Sequence, residues 1–494
     1  MSGHSFGGAF FACLLIAAAG FLACQGADHL APPDPAATQG PILLITVDAL
    51  RADAVGALAE TGTSGPVAAG LDLTPHLDAL VAEADWAGTA IASSSASIPA
   101  TAGLLTGLTP WLHQALHPEQ PRLSSAVTTL AEALRERGYT TTAYVSGHWY
   151  PQGLGYEQGF DYYRGLNRGG KAAGHLASLE PGPSFFWIHV DAPSPPLRIR
   201  DRLRPQLGPL PDDLPKELSA LQLELYRSPR VQLSEDWRQR ILALYRGEVA
   251  LLDLRVQRLL RGLRESGQWD RSLVAVVSAH GEEIGEHGQM GHANNLMPES
   301  LRVPMILKLP KGSPHTLRLQ PGEPVAATRL WATLVEHAGG MPGPSVAPSL
   351  FHQAPPGVLS ELYLSDGANR FSWLQGDLQL LRTVRFAREP DFYRARRALA
   401  GGRLQRPLAE PAAELLDRVY RTFLVTPPFS GGSESTVRQR LLRWGPEGVE
   451  AVPDEAARNA LAAELERRWR SFQESEQPPE QVLRQRSLAS PPAP

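Results

Sequence analysis

Ile42-Leu43-Leu44-Ile45-Thr46-Val47-Asp48 is a short, mostly apolar run that stops on a carboxylate. Three more runs end in the same way. Thr140–Val145 stops just before His148, Phe185–Ile188 at His189, and Leu273–Val277 shortly before His280. All four are rich in β-branched and aromatic residues and do not alternate with polar ones, which is how strands covered on both faces read. Stretches of helical period separate them. The expected fold class is therefore α/β, with a large, mostly parallel central sheet flanked by helices. Ligands collect outside the carboxyl ends of such strands, where Asp48, His148, His189 and His280 would converge. The first expectation is one polar site on this scaffold.

The 494 residues can bury a large core. The expected division is a main α/β domain over 41–342, a smaller C-terminal α+β subdomain over 343–473, and a disordered tail over 474–494. Acidic and basic residues nearly cancel, at a formal net charge of −4, which argues against a dedicated nucleic-acid or polyanion binder. Cys13 and Cys24 are the only cysteines, so the body of the chain holds no disulfide framework and no cysteine-based zinc site. Phe10–Ala23 is apolar, ends in small residues and is too short for a membrane span. Residues 1–24 resemble a bacterial secretion signal, and Phe21-Leu22-Ala23-Cys24 resembles a lipobox. That resemblance implies export to the cell envelope on a lipidated Cys24, facing the periplasm or the surface, with residues 25–40 as a tether.

Further along, Thr74 and Pro75 mark a helix start, and Thr128–Arg137 reads as an amphipathic helix closed by Gly138. Pro193–Pro229 is Pro-rich and reads as a surface excursion or lid. Ser234–Arg264 places Ile241, Leu244, Tyr245, Leu252, Val256, Leu259, Leu260 and Leu263 at helical spacing and predicts a long helix feeding the strand at Leu273. Val358–Tyr363 and Leu378–Val384 read as strands of a smaller sheet, and Ala456–Phe472 as a helix.

Ser93–Gly107 places Ser97 where a helix N-cap should stand, with Pro99 in the first turn. A hydroxyl there faces the positive end of the helix dipole, beside unpaired backbone N–H groups. Such a place suits an anion, or an oxygen nucleophile attacking one. The plainer alternative is that Ser97 only caps the helix. A nucleotide-cofactor site is disfavoured, because the loop after Asp48 lacks a Gly-x-Gly pattern.

The wider pattern bears on that choice. Val47-Asp48-Ala49-Leu50-Arg51-Ala52-Asp53, Thr74-Pro75-His76-Leu77-Asp78 and Ser97-Ile98-Pro99 through Thr106-Gly107 come first. Gly159-Phe160-Asp161, Trp187-Ile188-His189, His280-Gly281-Glu282, Gly285-Glu286-His287-Gly288, Gly291-His292 and Leu301-Arg302-Val303-Pro304 follow in order. Together they resemble the sulfatase family of the alkaline phosphatase superfamily over roughly residues 41–310. The resemblance implies a divalent cation (calcium, manganese or zinc) held at the strand ends, and a small anionic sulfate or phosphate ester as substrate. Carried over by position, Asp48, Ser97 and His280 are the metal ligands and Ser97 the nucleophile. His113 and His189 take part in catalysis, and His292 and His148 contact substrate. Arg51, Asp53, Glu286 and His287 are assigned to scaffold ion pairs.

Departures from the pattern fall on the chemistry. Where the family has Asp-His or Asp-Asn after the fourth strand, this chain has Ala279-His280, and Ala49 stands where many members carry a second Asp. Thr101 replaces the arginine of the motif whose first residue becomes formylglycine, which argues against that modification at Ser97. A substrate-contacting histidine is absent from Asp191-Ala192-Pro193-Ser194-Pro195-Pro196. Two readings follow: a metal-dependent ester hydrolase, or a catalytically impaired relative that binds an anion or partner without turnover.

Overall fold

The computed structural model describes residues 39–473, apart from 62–66, 69, 87–89, 117–120, 147–149, 167–168, 228–232, 320–322, 344–346, 365–367, 387–434 and 446–447. The leader, the lipobox, His148 and the tail from 474 lie outside the described residues. None of the described helices is long and apolar enough to cross a membrane.

The main sheet has seven strands: β1 (Ile42–Val47), β2 (Asp85–Trp86), β3 (Thr140–Val145), β4 (Tyr162–Gly165), β5 (Ser184–Val190), β6 (Leu273–Ser278) and β7 (Met305–Lys308). Their order is β2-β7-β6-β1-β5-β3-β4. The four runs that end on polar residues are neighbours, β6-β1-β5-β3, and they are mutually parallel, while β7 runs antiparallel to β6. Side chains along β1 divide between two apolar clusters. Ile42 and Leu44 join one, and Leu43, Ile45 and Val47 join the other, as a strand covered on both faces requires.

Helices α1 (Pro75–Ala82), α2 (Ser97–Thr106), α3 (Leu130–Arg135), α4 (Glu235–Glu265) and α5 (Arg329–His337) supply the cover. Leu104 and Leu105 of α2, Leu130 and Leu134 of α3, and Trp331 of α5 pack in the first cluster. Leu77 and Leu80 of α1 and the apolar stripe of α4 pack in the second. Each of the eight α4 residues that carry the helical period is buried. The α4 start follows from Ser234, whose hydroxyl accepts the Trp237 N–H. At α3, Thr129 and Glu132 form a reciprocal capping box. Within the Pro-rich excursion two short strands pair, Leu197–Arg198 and Glu217–Leu218. Leu197, Leu203, Leu207 and Leu218 pack in the same cluster as the α4 stripe.

The C-terminal part is a five-stranded antiparallel sheet: β8 (Val358–Tyr363), β9 (Ala368–Gln375), β10 (Leu378–Phe386), β11 (Ser435–Gly445) and β12 (Gly448–Ala451), followed by helix α6 (Glu455–Gln473). Phe371, Trp373, Leu380 and Leu441 join the first apolar cluster, so the core runs on from the main sheet. Glu361 fastens the two parts. Its N–H donates to the Ser93 carbonyl, and one carboxyl oxygen accepts from the Trp111 N–H and the Tyr363 hydroxyl, each at 2.8 Å. The other oxygen is buried without a hydrogen-bond partner.

Burial pushes this carboxyl up from 4.5 to about 7, against the pull of its hydrogen bonds. Because the folded pKa is raised, the protonated group's contribution is fully present below pH 4.5 and is lost as pH rises through 7. Glu361→Gln should keep the two accepted bonds and remove that loss, worth at most about 3 kcal/mol. In thermal melts, the gap between variant and parent should widen from pH 5 to pH 8. A constant gap would show that Glu361 does not titrate in this window.

Candidate active site

The parallel register sets the site. Thr46 of β1 lies beside His189 of β5, and Val47 beside Ser278 of β6. Asp48, one residue beyond β1, and His280, two beyond β6, therefore emerge at the same edge. Ala96, in extended conformation, is the residue before α2, and Ser97 is the first residue inside it. This corrects the expected N-cap position. The Ser97 hydroxyl makes no cap bond and lies 2.9 Å from His280 Nε2.

The imidazole hydrogens can be placed from their partners. His280 Nδ1 is 2.8 Å from the Gly281 carbonyl, which only accepts, so the hydrogen is on Nδ1 and the lone pair on Nε2. Burial and the facing His292 pull the His280 pKa down to about 4, leaving it neutral at pH 7. Ser97 is then the donor to Nε2. Beyond that nitrogen, Asp48 Oδ1 lies 3.8 Å away. Burial raises the Asp48 carboxyl, but the imidazoles of His189, His280 and His292 outweigh it and hold the group at about 2. Asp48 is thus an ionised, buried carboxylate.

His189 Nε2 sits 3.7 Å from the other Asp48 oxygen. On its far side, Nδ1 is 2.9 Å from the Thr46 hydroxyl, which also accepts the Trp187 indole N–H. The Thr46 hydrogen is left for Nδ1, which puts the His189 hydrogen on Nε2, facing Asp48. His292 packs against His280 with ring centroids 4.3 Å apart and planes tilted by 39°, and its Nδ1 is 2.7 Å from Glu282 Oε2. Two of the three described non-glycine residues with left-handed backbone are Ala49 and Ala293, directly after Asp48 and His292. Such strain at site residues persists only when neighbours enforce it. At Ala49 the carbonyl accepts the Tyr245 hydroxyl at 2.7 Å.

The structure brings Asp48, Ser97, His189, His280 and His292 together, but not His113. That ring is fully buried, with Nδ1 accepting the Ala115 N–H (3.2 Å) and Nε2 bonded to the Pro99 carbonyl (3.1 Å). Both nitrogens are bonded to backbone, so His113 braces the α2 region. Two contributors, Thr46 and Tyr150, were not picked out in the sequence, and Glu282 was weighed there only as a stand-in for the missing ligand. Thr46 orients His189, and Glu282 orients His292. Tyr150 packs edge-on against His189 (4.8 Å) and bonds to Thr101 Oγ1 (2.9 Å) and the Ser97 carbonyl (3.1 Å). The residue in the position of the family's arginine is thus tied to a phenol. Arg51 forms buried pairs with Asp53 (2.7 Å) and Glu286, and His287 bonds to Glu299 (2.8 Å), the expected scaffold roles.

These residues fit a cation. Asp48 Oδ1 is buried without a hydrogen-bond partner, an arrangement that costs stability unless a positive charge meets it. The His280 lone pair and the Ser97 oxygen border the same spot, and His280, Glu282 and His292 can bring ligand atoms within 4.8 Å of one another. Imidazole nitrogen beside carboxylate oxygen suits zinc or manganese better than calcium.

Comparison with known proteins assigns the family. The model for Sulfatase matches residues 41–177 and 171–341, more than half of the chain, and the chain belongs to that family. It is 29% identical over 136 residues to the multifunctional alkaline phosphatase superfamily protein PehA of Trinickia caryophylli, covering 26% of each chain. It is 38% identical over 93 residues to an N-acetylgalactosamine-6-O-sulfatase of Bacteroides thetaiotaomicron, covering 18% of each. These matches span about a quarter or less of those relatives. A solved phosphonate monoester hydrolase from Silicibacter pomeroyi superposes with a TM-score of 0.58 at 18% identity, covering 90% of this chain and 97% of that one. At that identity the likeness concerns the fold.

Proposed function

We propose that the chain hydrolyses sulfate or phosphate esters with Ser97 as nucleophile. The observation that carries this reading is the Ser97 Oγ–His280 Nε2 contact of 2.9 Å beside the ionised Asp48. Family membership and relatives named for sulfate and phosphonate ester hydrolysis support it. In this reading the ester anion rests at the N-terminus of α2, where backbone N–H groups and the dipole steady its oxygens. Ser97 Oγ bonds to sulfur or phosphorus as the bond to the leaving oxygen breaks, its hydrogen passing to His280 Nε2, and water then splits the seryl ester to release the anion. His189, kept as an Nε2 donor by Thr46, hydrogen-bonds an ester oxygen. His292, oriented by Glu282, turns toward the leaving oxygen. A divalent cation on Asp48 and the Ser97 oxygen would supply charge neutralisation and a lowered hydroxyl pKa, and it would gain His280 only in place of the Ser97 hydrogen, because that ring has its one lone pair on Nε2. Ser97 acts as plain serine, because Thr101 breaks the formylglycine motif.

A second reading, anion binding without turnover, is favoured by one observation: Ala279 removes a carboxylate next to His280. Purified protein titrated with manganese, zinc and calcium, then assayed on an aryl sulfate, an aryl phosphate and a phenylphosphonate monoester, separates the two. Binding of one cation with turnover of one ester is expected. Absence of both would leave the anion-binding reading. Export and lipidation at Cys24 remain part of the proposal on sequence grounds, tested by membrane fractionation of Cys24→Ala.

A further inference from the structure

A second cluster of ligating side chains lies outside the candidate active site. Glu283, His287 and Glu299 can bring ligand atoms within 4.8 Å of one another. One segment of chain supplies all three. Glu283 opens the hairpin that pairs Glu283–Ile284 with Met290–Gly291, His287 stands in its turn, and Glu299 belongs to the short helix Pro298–Leu301. The Gly281 and Glu282 N–H groups donate to the Ser300 and Glu299 carbonyls, at 2.8 and 2.9 Å, and hold the base of the hairpin against that helix.

Glu283 marks the cluster as a place for a cation. Its side chain is fully buried, and Oε2 accepts the Asn295 amide at 2.6 Å. Oε1 is buried without a hydrogen-bond partner, and Glu283 has no ion pair among the described residues. Arg51, the guanidinium beside Glu299, is taken by Asp53 and Glu286. An ionised carboxylate buried in this way is costly unless a positive charge meets it. A proton does not remove the cost. Burial pushes the Glu283 carboxyl up to about 8, but a hydrogen on Oε1 would find no acceptor.

His287 and Glu299 complete the donor set. His287 Nε2 lies 2.8 Å from Glu299 Oε2. The Glu299 side chain is buried, while that of His287 is 24% exposed and gives an ion a way in. A cation would take the place of the hydrogen between those two atoms, which leaves to solvent. Two carboxylates and one imidazole suit zinc or manganese, with water filling the rest of the shell. We propose that Glu283, His287 and Glu299 hold a second divalent cation, a structural one that pins the hairpin turn to the short helix. The segment fastened in this way carries Glu282 and His292, which bond to each other at 2.7 Å. The site shares no ligand with Asp48, Ser97 and His280, so it stands apart from the ester-hydrolase reading.

The test uses full-length protein carrying Asp48→Asn, which removes the carboxylate of the candidate active-site cation. Stripped with chelator and titrated calorimetrically with zinc chloride, this protein should bind one equivalent. Loss of an outer-shell partner alone costs a metal site about 10–100-fold, so adding Glu283→Gln should weaken that zinc at least about a hundredfold. Zinc should raise the melting temperature of the Asp48→Asn protein and leave that of the double variant unchanged. In crystals of the native chain soaked in manganese, the anomalous map should show a peak between Glu283, His287 and Glu299. That measurement decides the matter even where Glu283→Gln does not fold. Zinc affinity that survives Glu283→Gln overturns the proposal. So does a map without that peak, or Asp48→Asn protein that takes up no zinc, either of which leaves Glu283 with a proton or a water only. A peak here with none at Asp48 would keep this site and remove the cation from the ester-hydrolase reading.

Discussion

Ser97→Ala is expected to lower turnover of the ester that the native chain hydrolyses by at least about 10³-fold, because no second group can form the covalent bond. The geometry makes this a clean substitution. Ser97 is the first residue of α2 rather than its cap, and its hydroxyl has one bond, to His280. Loss of a capping hydroxyl would cost about 1 kcal/mol of stability and leave the rate alone. The melting temperature of Ser97→Ala should therefore stay close to that of the parent while activity collapses. Nearby hydroxyls offer no rescue, since Thr101 is tied to Tyr150 one turn further into the helix. Activity within tenfold of the parent would remove Ser97 from the mechanism and return it to a structural role.

Much of the scaffold was legible because burial on both faces leaves a distinctive pattern. β1, β5 and β6 carry largely apolar runs, β3 follows three threonines with buried Ala143, Tyr144 and Val145, and α4 repeats its apolar residues at helical spacing from Ile241 to Leu263. β9 and β11 were missed for the converse reason. Asn369, Arg370 and Ser372 interrupt one, and Arg438, Arg440 and Arg443 the other, and Asn369 and Ser372 do so although they are buried. In the site, Asp48, His189 and His280 could be found because strand ends converge in parallel sheets. Ser97 came from its place before a small-residue helix and from the resemblance. Thr46 and Tyr150 gave no local signal, and Glu282 was weighed only as a stand-in for the missing ligand: each acts through a contact with a residue that the fold brings close. At His113 the ring bonds to two backbone groups, a contact that family position does not report.

Ala279→Asp should change metal affinity more than any other single substitution. Ala279 is buried, joins β6 to His280, and donates its N–H to the Val47 carbonyl at 2.8 Å, one residue before Asp48. A carboxylate there would be a second anion beside Asp48. Affinity for hard and borderline cations grows with the number of anionic oxygens, so manganese or zinc should bind at least about tenfold more tightly. Turnover should rise with it if the missing ligand is what limits the native chain. The same change has a cost that can be read without any substrate. With no cation, two buried carboxylates repel, and the variant should lose about 1–3 kcal/mol of stability. A cation at a hundred times its Kd returns about 2.7 kcal/mol, so the melting temperature should fall in chelator and recover on addition of the metal. The parent should show a smaller response. A variant that melts early in chelator and in excess manganese or zinc alike would mean that Asp48, His280 and the new side chain do not share a cation, and the metal assignment would fall with it.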